Sequence, residues 1–461
     1  MKKVFTLILA AGMVCAAGSR ASAIDVEMDG AFNFQYTQAH TLDGTKIDAE
    51  TQFVEVGAAF TASENLSGYF KLWSKWEWGN NEEEMGGSGG LGNYMKAYVK
   101  MAYIDWTVPG TPLKIRMGRQ ELGLPAVALD KNPAIWSSDP SDGIAIAADI
   151  TDWFSLAAFW SRYDRQAAAH GAPFTTHHAT TADVFAVVAD LKFEGFQFKP
   201  YFAFAAQDGN TMDGSDSNNA LTPAPGVITF RDGSTVGTNY GNNTFWLGVN
   251  GELTLFDPLT VKADFLYGDR DFRSHTGLPG QHGWWMDGAV SYKTDFGTPE
   301  LAAWFGSGDD KDVTYAYQKN MPTMCGRFGG SFGFFNGSGL EDNHLTDNHT
   351  ALGTWGVRLA MKDISFIDDL SHTLQVIYAS GTNANKNAVF GLDPWAYMTH
   401  KDSMVEFNLG TEYEIYKNLK AYLEMAYIIE NFQTQKTGSY SGRAGKYDNG
   451  WQIGFQLTYE F

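Results

Sequence analysis

At residues 451–461 the chain reads WQIGFQLTYEF, and it stops on that terminal Phe461. Every second residue of this stretch is large and apolar, beginning with Trp451, whereas the residues between them are small or polar. Successive side chains of a β-strand point to opposite faces, so the stretch predicts a strand with one apolar and one polar face. The edge strand of a soluble β-sandwich would alternate in the same way, and the stretch alone leaves both architectures open.

The same alternation recurs along the chain, and no segment has a convincing helical periodicity. We predict an all-β protein of about eighteen strands, or sixteen if two of the shorter ones merge. The expected strands lie at 24–38, 50–62, 66–78, 93–107, 112–120, 143–150, 153–164, 180–193, 196–208, 243–256, 258–271, 283–293, 299–307, 350–361, 370–381, 402–415, 418–431 and 449–461.

The connections between these strands alternate between long and short. Long connections such as 121–142, 209–242 and 308–349 take turns with short ones such as 63–65 and 416–417. A sandwich has no reason to sort its loops in this way, whereas a transmembrane antiparallel up-and-down β-barrel has long extracellular loops and short periplasmic turns. A barrel of sixteen to eighteen strands encloses an aqueous channel, so the polar face is expected to line the lumen.

The beginning of the chain has the features of a secretory signal peptide. Lys2 and Lys3 precede a mostly apolar segment, and 21–23 reads ASA, a small-residue cleavage site. We expect residues 1–23 to be removed and 24–461 to form a single barrel domain, in which Cys325 is the one remaining cysteine. Export leads either to the cell outer membrane, which we expect here, or to the soluble periplasm.

Composition narrows the class of function further. The formal net charge of −20 argues against a nucleic-acid partner, which needs a basic surface. An aromatic content of 15% and 50 glycines suit interfacial aromatic girdles and tight turns. No stretch after residue 23 approaches the ~20 consecutive apolar residues of a membrane helix.

A resemblance to a known family starts from residues 113–123, LKIRMGRQELG. A strand that ends in Gly-Arg-Gln and opens into an acidic loop resembles the entry to the constriction loop of bacterial porins. As an architecture, the mature chain most resembles the outer-membrane homotrimeric porins of sulfate-reducing bacteria. General porins usually have sixteen strands, so the count of about eighteen departs from that pattern.

The resemblance implies a fold, partners and a function. Loop 121–142, whose first half is unusually apolar, should fold inward as a constriction loop. The protein should be a homotrimer in outer-membrane lipid, and the barrel-assembly machinery should recognise the terminal strand and Phe461. It should form a water-filled channel for passive diffusion of small hydrophilic solutes and ions. The alternatives are a substrate-selective channel for anions or sugars, and a barrel whose surface loops serve adhesion.

The strand phases also predict the charges at the narrowest part of the pore. A basic wall should oppose acids of the loop and create a transverse field; Arg119 joins this wall if a bulge follows Gly118, because strict alternation points it outward. The alternative is that these cations are only the polar half of amphipathic strands, held by neighbouring Glu and Tyr side chains. The expected wall is Lys71, Lys75, Lys96, Lys100, Lys114, Arg116 and Arg119, and the expected loop acids are Glu121, Asp130, Asp139 and Asp142.

Aromatic residues share the same inward phase. They could form a stacking track for sugars, or simply pack against the constriction loop; the predicted lumen aromatics are Tyr69, Trp73, Tyr94 and Tyr98. Tyr103 is expected to point outward, into an interfacial girdle. Loop 308–349 is rich in Gly, Phe and Asn, and we expect it at the pore mouth or on a neighbouring subunit.

The sequence offers little for catalysis or cofactors. It contains no G-x-S-x-G, H-E-x-x-H or P-loop motif, so no enzymatic activity is expected. The acidic stretch 208–216 lacks the ligand spacing of an EF-hand. We therefore expect neither a bound metal nor another cofactor.

Overall fold

The computed structural model describes residues 24–78, 97–135, 140–166, 180–207, 227–229, 235–237, 242–272, 280–313, 318–324, 326–335, 340, 345–346, 351–384, 395–433 and 447–461. The predicted signal peptide lies outside these residues, as do Lys96, Tyr94, Asp139 and Cys325. Within the described residues, no helix is long and apolar enough to cross a membrane.

Eighteen strands form one sheet, and two further short strands, β10 (Val227–Thr229) and β11 (Thr235–Gly237), form a separate hairpin. The strands of the sheet are β1 (Asp25–His40), β2 (Lys46–Ser63), β3 (Leu66–Glu77), β4 (Tyr98–Thr107), β5 (Leu113–Gln120), β6 (Ser141–Thr151), β7 (Phe154–Gln166), β8 (Thr180–Phe193), β9 (Phe196–Gln207), β12 (Asn242–Phe256), β13 (Leu259–Phe272), β14 (Gln281–Tyr292), β15 (Thr298–Gly306), β16 (Thr354–Ile367), β17 (Leu370–Gly381), β18 (Ser403–Tyr416), β19 (Leu419–Asn431) and β20 (Gly450–Glu460).

The sheet closes on itself. Each strand pairs antiparallel with its neighbour in the chain, β9 pairs with β12, and β1 pairs with both β2 and β20. At the seam Ala31 faces Glu460, and the backbones of Gly30 and Phe461 exchange two hydrogen bonds of 3.0 Å. Closure leaves no unpaired sheet edge, and it confirms the predicted all-β, up-and-down barrel of eighteen strands.

The alternation seen in the sequence separates the two faces of this barrel. In β20, Trp451 and Phe455 lie on the outer surface, whereas Gln452, on the opposite face, is buried inside. The same holds for β1, where Val26, Met28 and Phe32 are exposed outside. An apolar belt around a polar interior is the pattern of a barrel whose surrounding medium is apolar.

The two ends of the barrel differ in their connections. Strands β2 and β3 are separated by Glu64 and Asn65, and β8 and β9 by Glu194 and Gly195. At the opposite end, β5 and β6 are separated by 121–140 and β15 and β16 by 307–353. The buried core lies inside the barrel, where these two long segments pack against the strands.

A β-bulge in β4 changes which side chains of that strand face inward. Lys71 of β3 pairs with Met101 and the next residue, Leu72, pairs with Val99, so Lys100 is an extra residue. The bulge brings Tyr103 opposite Tyr69, on the inner face. The expectation that Tyr103 points outward was wrong, because it assumed strict alternation along β4 and did not account for an inserted residue.

Candidate functional site

An ion-pair network lines the inner face of β1 to β4. The Nζ atom of Lys71 lies 3.3 Å from Oδ1 of Asp29 and 3.4 Å from Oε2 of Glu55. The Lys100 ammonium donates to the other Glu55 oxygen. The Tyr69 hydroxyl donates to Asp29 at 2.9 Å. The sequence placed these lysines on the inner face, and their contacts with Glu55 and Tyr69 agree with the alternative given for them, in which neighbouring Glu and Tyr side chains hold the cations.

The next strand continues the network. Arg116 of β5 donates to both carboxylate oxygens of Asp105, at 2.7 and 2.8 Å. Its guanidinium also lies 4.0 Å from the centre of the Tyr103 ring, a cation–π distance. Closer to the short-turn end, Lys114 pairs with Asp149 at 3.1 Å, and both side chains are well exposed.

These contacts define the charged wall, which consists of Asp29, Glu55, Lys71, Lys100, Asp105 and Arg116. Each of its cations has a carboxylate neighbour, so the wall is mixed in charge rather than purely basic. The electric fields of such close opposite charges largely cancel at a distance. Dissolved salt screens what remains beyond a Debye length of about 8 Å at physiological ionic strength. The wall therefore acts on a solute in contact with it far more than on a distant ion.

The strand register places Arg119 on the opposite face from Arg116. The pairing of β5 with β6 runs without a shift from Leu113 to Gln120, and Arg119 faces Asp142. Ile144, on the same face as Asp142, is exposed on the outer surface. Gly118 has a φ of 128°, but no bulge follows it, so Arg119 and Asp142 do not join the predicted constriction.

Arg119 and Asp142 belong instead to a row of charges across the outer wall. Asp142 faces Arg162 of β7, which donates to both oxygens of Asp183 at 2.8 and 2.9 Å. Arg119 lies 3.6 Å from Asp142. The row lies near the long-loop ends of its strands, where a charge on the outer face costs little compared with the centre of a bilayer.

Aromatic rings share this inner face, one group on the long-loop side of Lys71 and one pair between Lys71 and Arg116. Toward the long loops, Trp73 contacts Phe53 and Tyr98, with ring centroids 6.5 and 6.2 Å apart. Toward the short turns, Tyr69 and Tyr103 are 5.6 Å apart. The Nζ atom of Lys75 lies 4.9 Å from the centre of the Phe53 ring. Tyr69, Trp73, Tyr98 and Lys75 are thus inward, as the strand phases predict.

The segment 121–135 crosses the lumen and packs against the strands on the far side. Its apolar residues Leu124, Leu129 and Ile135 are buried. The backbone amides of Val127 and Ala128 donate to Asp264 of β13. These contacts show why the first half of the segment is apolar: it lies against the inner face of the barrel.

Two predicted acids of this segment, Glu121 and Asp130, are exposed. Asp130 adopts a φ of 62°, a left-handed conformation that turns the chain sharply. The neighbouring Lys131 is half-buried, and burial together with the positive charge of Arg327 lowers its pKa from 10.5. The segment therefore carries both signs of charge, where the sequence had predicted a mainly acidic loop.

A second segment, within 318–346, also lies inside the barrel. The amides of Met324 and Arg327 donate to the carbonyls of Ala134 and Asn132, both at 2.9 Å. The second segment is thereby joined to 121–135. The described residues of loop 308–349 lie inside the barrel, whereas the sequence led us to expect the loop at the pore mouth or on a neighbouring subunit. In the sequence, the richness of this loop in Phe and Gly was the feature that could have indicated its position inside the barrel.

Polar side chains of the wall anchor this second segment. Glu406 of β18 is buried and accepts from the amides of Gly333 and Phe334 at 2.8 and 3.2 Å. Arg270 of β13 donates to the carbonyl of Thr323. Phe328 packs against Trp285 and Trp304, with centroids 5.6 and 4.8 Å apart. The anchors lie on β13 to β18, away from the charged wall.

The interior is therefore asymmetric. The inner side chains under the two segments are buried, as Trp285 and Glu406 illustrate, whereas Tyr69, Lys71 and Arg116 of the opposite side are half-buried. Among the described residues, no group of three or more His, Cys, Asp or Glu side chains could hold a metal ion. The arrangement offers a polar, mixed-charge surface to whatever occupies the lumen.

Comparison with solved structures gives the fold a context. The chain is similar to OccAB1 of Acinetobacter baumannii (13% identity, TM-score 0.54, covering 96% of this chain and 100% of that one). It is also similar to OccD3 (OpdP) of Pseudomonas aeruginosa, with 12% identity and a TM-score of 0.52, covering 96% of this chain and 93% of that one. The similarity to OpdK of the same organism with vanillate has 12% identity and a TM-score of 0.54, covering 95% of this chain and 98% of that one. No protein-family model and no curated protein matches the sequence. At such identities the likeness establishes a shared fold, that of outer-membrane porins.

Proposed function

We propose that this protein is an outer-membrane porin, a water-filled channel through which small hydrophilic solutes and ions diffuse passively. The observation that carries the proposal is the pairing of an apolar outer face with a charged inner face around a closed barrel of eighteen strands. A ring of that size cannot be filled by its own side chains, and barrels of sixteen to eighteen strands leave an aqueous channel.

The passage runs along the charged wall. Segment 121–135 and the described residues of 318–346 are anchored on the side formed by β13 to β18, and they narrow the lumen toward the wall. A hydrated solute exchanges some of its water for contacts with Lys71, Glu55 and Arg116, which offer donors and acceptors in alternation. Apolar solutes form no hydrogen bonds or ion pairs with these groups, yet they lose translational and rotational entropy when they enter the narrow lumen. The channel therefore discriminates against them.

The wider biological setting is part of the proposal. Residues 1–23 are removed on export, and the mature chain resides in the cell outer membrane as a homotrimer, like the porins of sulfate-reducing bacteria that it resembles. Phe461 is the terminal residue read by the barrel-assembly machinery. Its backbone pairs with Gly30, and its ring centroid lies 5.8 Å from that of Phe32. Phe461 therefore also helps to join the last strand of the barrel to the first. The protein acts by conduction rather than catalysis.

Swelling of proteoliposomes tests this function. Liposomes that contain the purified full-length protein should swell in solutions of small neutral solutes, at rates that fall as solute size increases. Protein-free liposomes give the background rate. Folded, inserted protein that causes no swelling with any solute would refute the proposal. N-terminal sequencing and cross-linking of the membrane-embedded protein check cleavage after residue 23 and the trimer.

A further inference from the structure

The inner wall carries aromatic rings in two groups separated by charges. The upper ring group, toward the long loops, consists of Phe53, Trp73 and Tyr98, and the lower ring pair consists of Tyr69 and Tyr103. Tyr69 and Trp73 are four residues apart on β3, which corresponds to roughly 13 Å along a strand. The two groups therefore follow the direction that a permeating solute takes.

The charges between the ring groups are internally compensated. Between the two groups, Lys71 pairs with Asp29 and Lys100 with Glu55; on the short-turn side of the lower ring pair, Arg116 pairs with Asp105. A solute with a single sign of charge would meet attraction and repulsion within a few ångströms. A solute whose groups both donate and accept hydrogen bonds would instead find partners for each of them.

We infer that this part of the lumen is a binding track for pyranose sugars. The C–H face of a sugar ring is apolar and packs on aromatic faces, and its hydroxyls are both donors and acceptors. The half-exposed Tyr98, at 50%, offers the most accessible ring, and the half-buried Trp73 beside it is the largest aromatic side chain of the track. The inference rests on the proposed channel function and adds the class of solute that the channel retains.

The bulge in β4 is what completes the track. Without the extra residue Lys100, Tyr103 would point into the surrounding lipid and Tyr69 would lack its ring partner. The bulge places Tyr103 inside, where it contacts both Tyr69 and the Arg116 guanidinium. Bulges often redirect side chains at functional sites, and this one supplies a ring to the lumen.

The test is block of the ion current by maltotriose. Full-length protein is inserted into planar bilayers, and the current is recorded as maltotriose is added; polyethylene glycol of the same hydrodynamic radius is the size control. We expect a saturable reduction of the current by maltotriose that the polymer does not produce. The variants Trp73→Ala and Tyr98→Ala should raise the half-blocking concentration by about tenfold and by a smaller factor, respectively.

The control variant is Phe70→Ala, which removes an exposed ring from the outer face of the same strand. Its half-blocking concentration should equal that of the wild type. A channel that conducts but responds to maltotriose no more than to the polymer would overturn the sugar track and leave the proposed porin function intact. If Trp73→Ala does not fold, Tyr98→Ala decides, because its ring is the least embedded. A folded wild-type protein that never conducts would overturn the channel itself.

Discussion

Asp264 accepts a hydrogen bond of 2.8 Å from the backbone amide of Ala128, across the lumen from the strand after which segment 121–135 begins. The same carboxylate also accepts from Val127 at 3.1 Å. One wall residue thus holds the segment against the far side. The Asp264 side chain is buried, so the two amides would be left unsatisfied in a buried site if the carboxylate were removed.

Removal of this anchor should let segment 121–135 move from the far side of the barrel into the passage. In Asp264→Ala the amides of Val127 and Ala128 lose their acceptor, at a cost of about 1–3 kcal/mol. The segment should then leave the wall for part of the time. We expect noisier single-channel currents and a mean conductance lower than that of the wild type, because the released segment enters the passage. Asp264→Asn, which keeps one acceptor oxygen, is the matched control and should lie between the two. Identical current traces for all three proteins would show that Asp264 does not position the segment.

Glu55 should determine the ion preference of the charged wall. It neutralises Lys71 and Lys100 together, so Glu55→Gln leaves both ammonium groups less compensated. The reversal potential under a KCl gradient should shift toward anion selectivity. Glu64→Gln, in the short turn between β2 and β3, removes the same charge away from the wall and should shift it much less. Equal shifts in the two variants would mean that only total charge matters.

Lys131 should make the ion preference sensitive to alkaline pH. Its pKa lies below the ordinary 10.5, because burial disfavours the charged form and Arg327 is near. As the pH rises, Lys131 therefore loses its proton before ordinary lysines do, and the segment becomes more negative. Cation preference, read from reversal potentials at increasing pH, should grow in this window. Lys131→Arg stays protonated and should flatten the change; an unaltered pH profile in that variant would contradict the role given to Lys131.

The seam between the first and last strands should depend on Phe461. Its ring lies against Gly30, where even a Cβ atom would approach the ring to 2.5 Å. Phe461→Ala and Gly30→Ala should both reduce the amount of folded protein in the outer membrane, measured by membrane fractionation. Phe455→Ala removes an exposed outer ring from the middle of the same strand and should have a smaller effect. Wild-type levels of Phe461→Ala would argue against its proposed part in assembly.

The barrel was predictable because its sequence alternates over nearly every strand. In β20 the alternation from Trp451 to Phe461 determines which side chains face outward, and an up-and-down order of strands then gives β19 and β1 as its partners. A lipid-facing wall tolerates few polar side chains, so the pattern is strong wherever a strand is regular. Prediction from alternation fails at Lys100, because this one inserted residue reverses the faces of the residues that follow it and brings Tyr103 inward.

The site was less predictable because its geometry depends on contacts between distant residues. Alternation placed Lys71 and Arg116 on the inner face, but their pairing with Glu55 and Asp105 follows from the strand register. Arg119 required a bulge after Gly118 that the register excludes. The anchors Asp264 and Glu406 carry no local signal, since a carboxylate that accepts backbone amides resembles any other acid in the sequence.

Single-channel recording of the purified full-length protein in planar bilayers tests the central claim, that the lumen is an open aqueous passage. The account predicts discrete current steps in KCl, with a conductance that scales with salt concentration as in a water-filled pore. Steps grouped in threes would support the trimer. Folded protein that inserts into the bilayer and carries no current at any voltage would contradict the account.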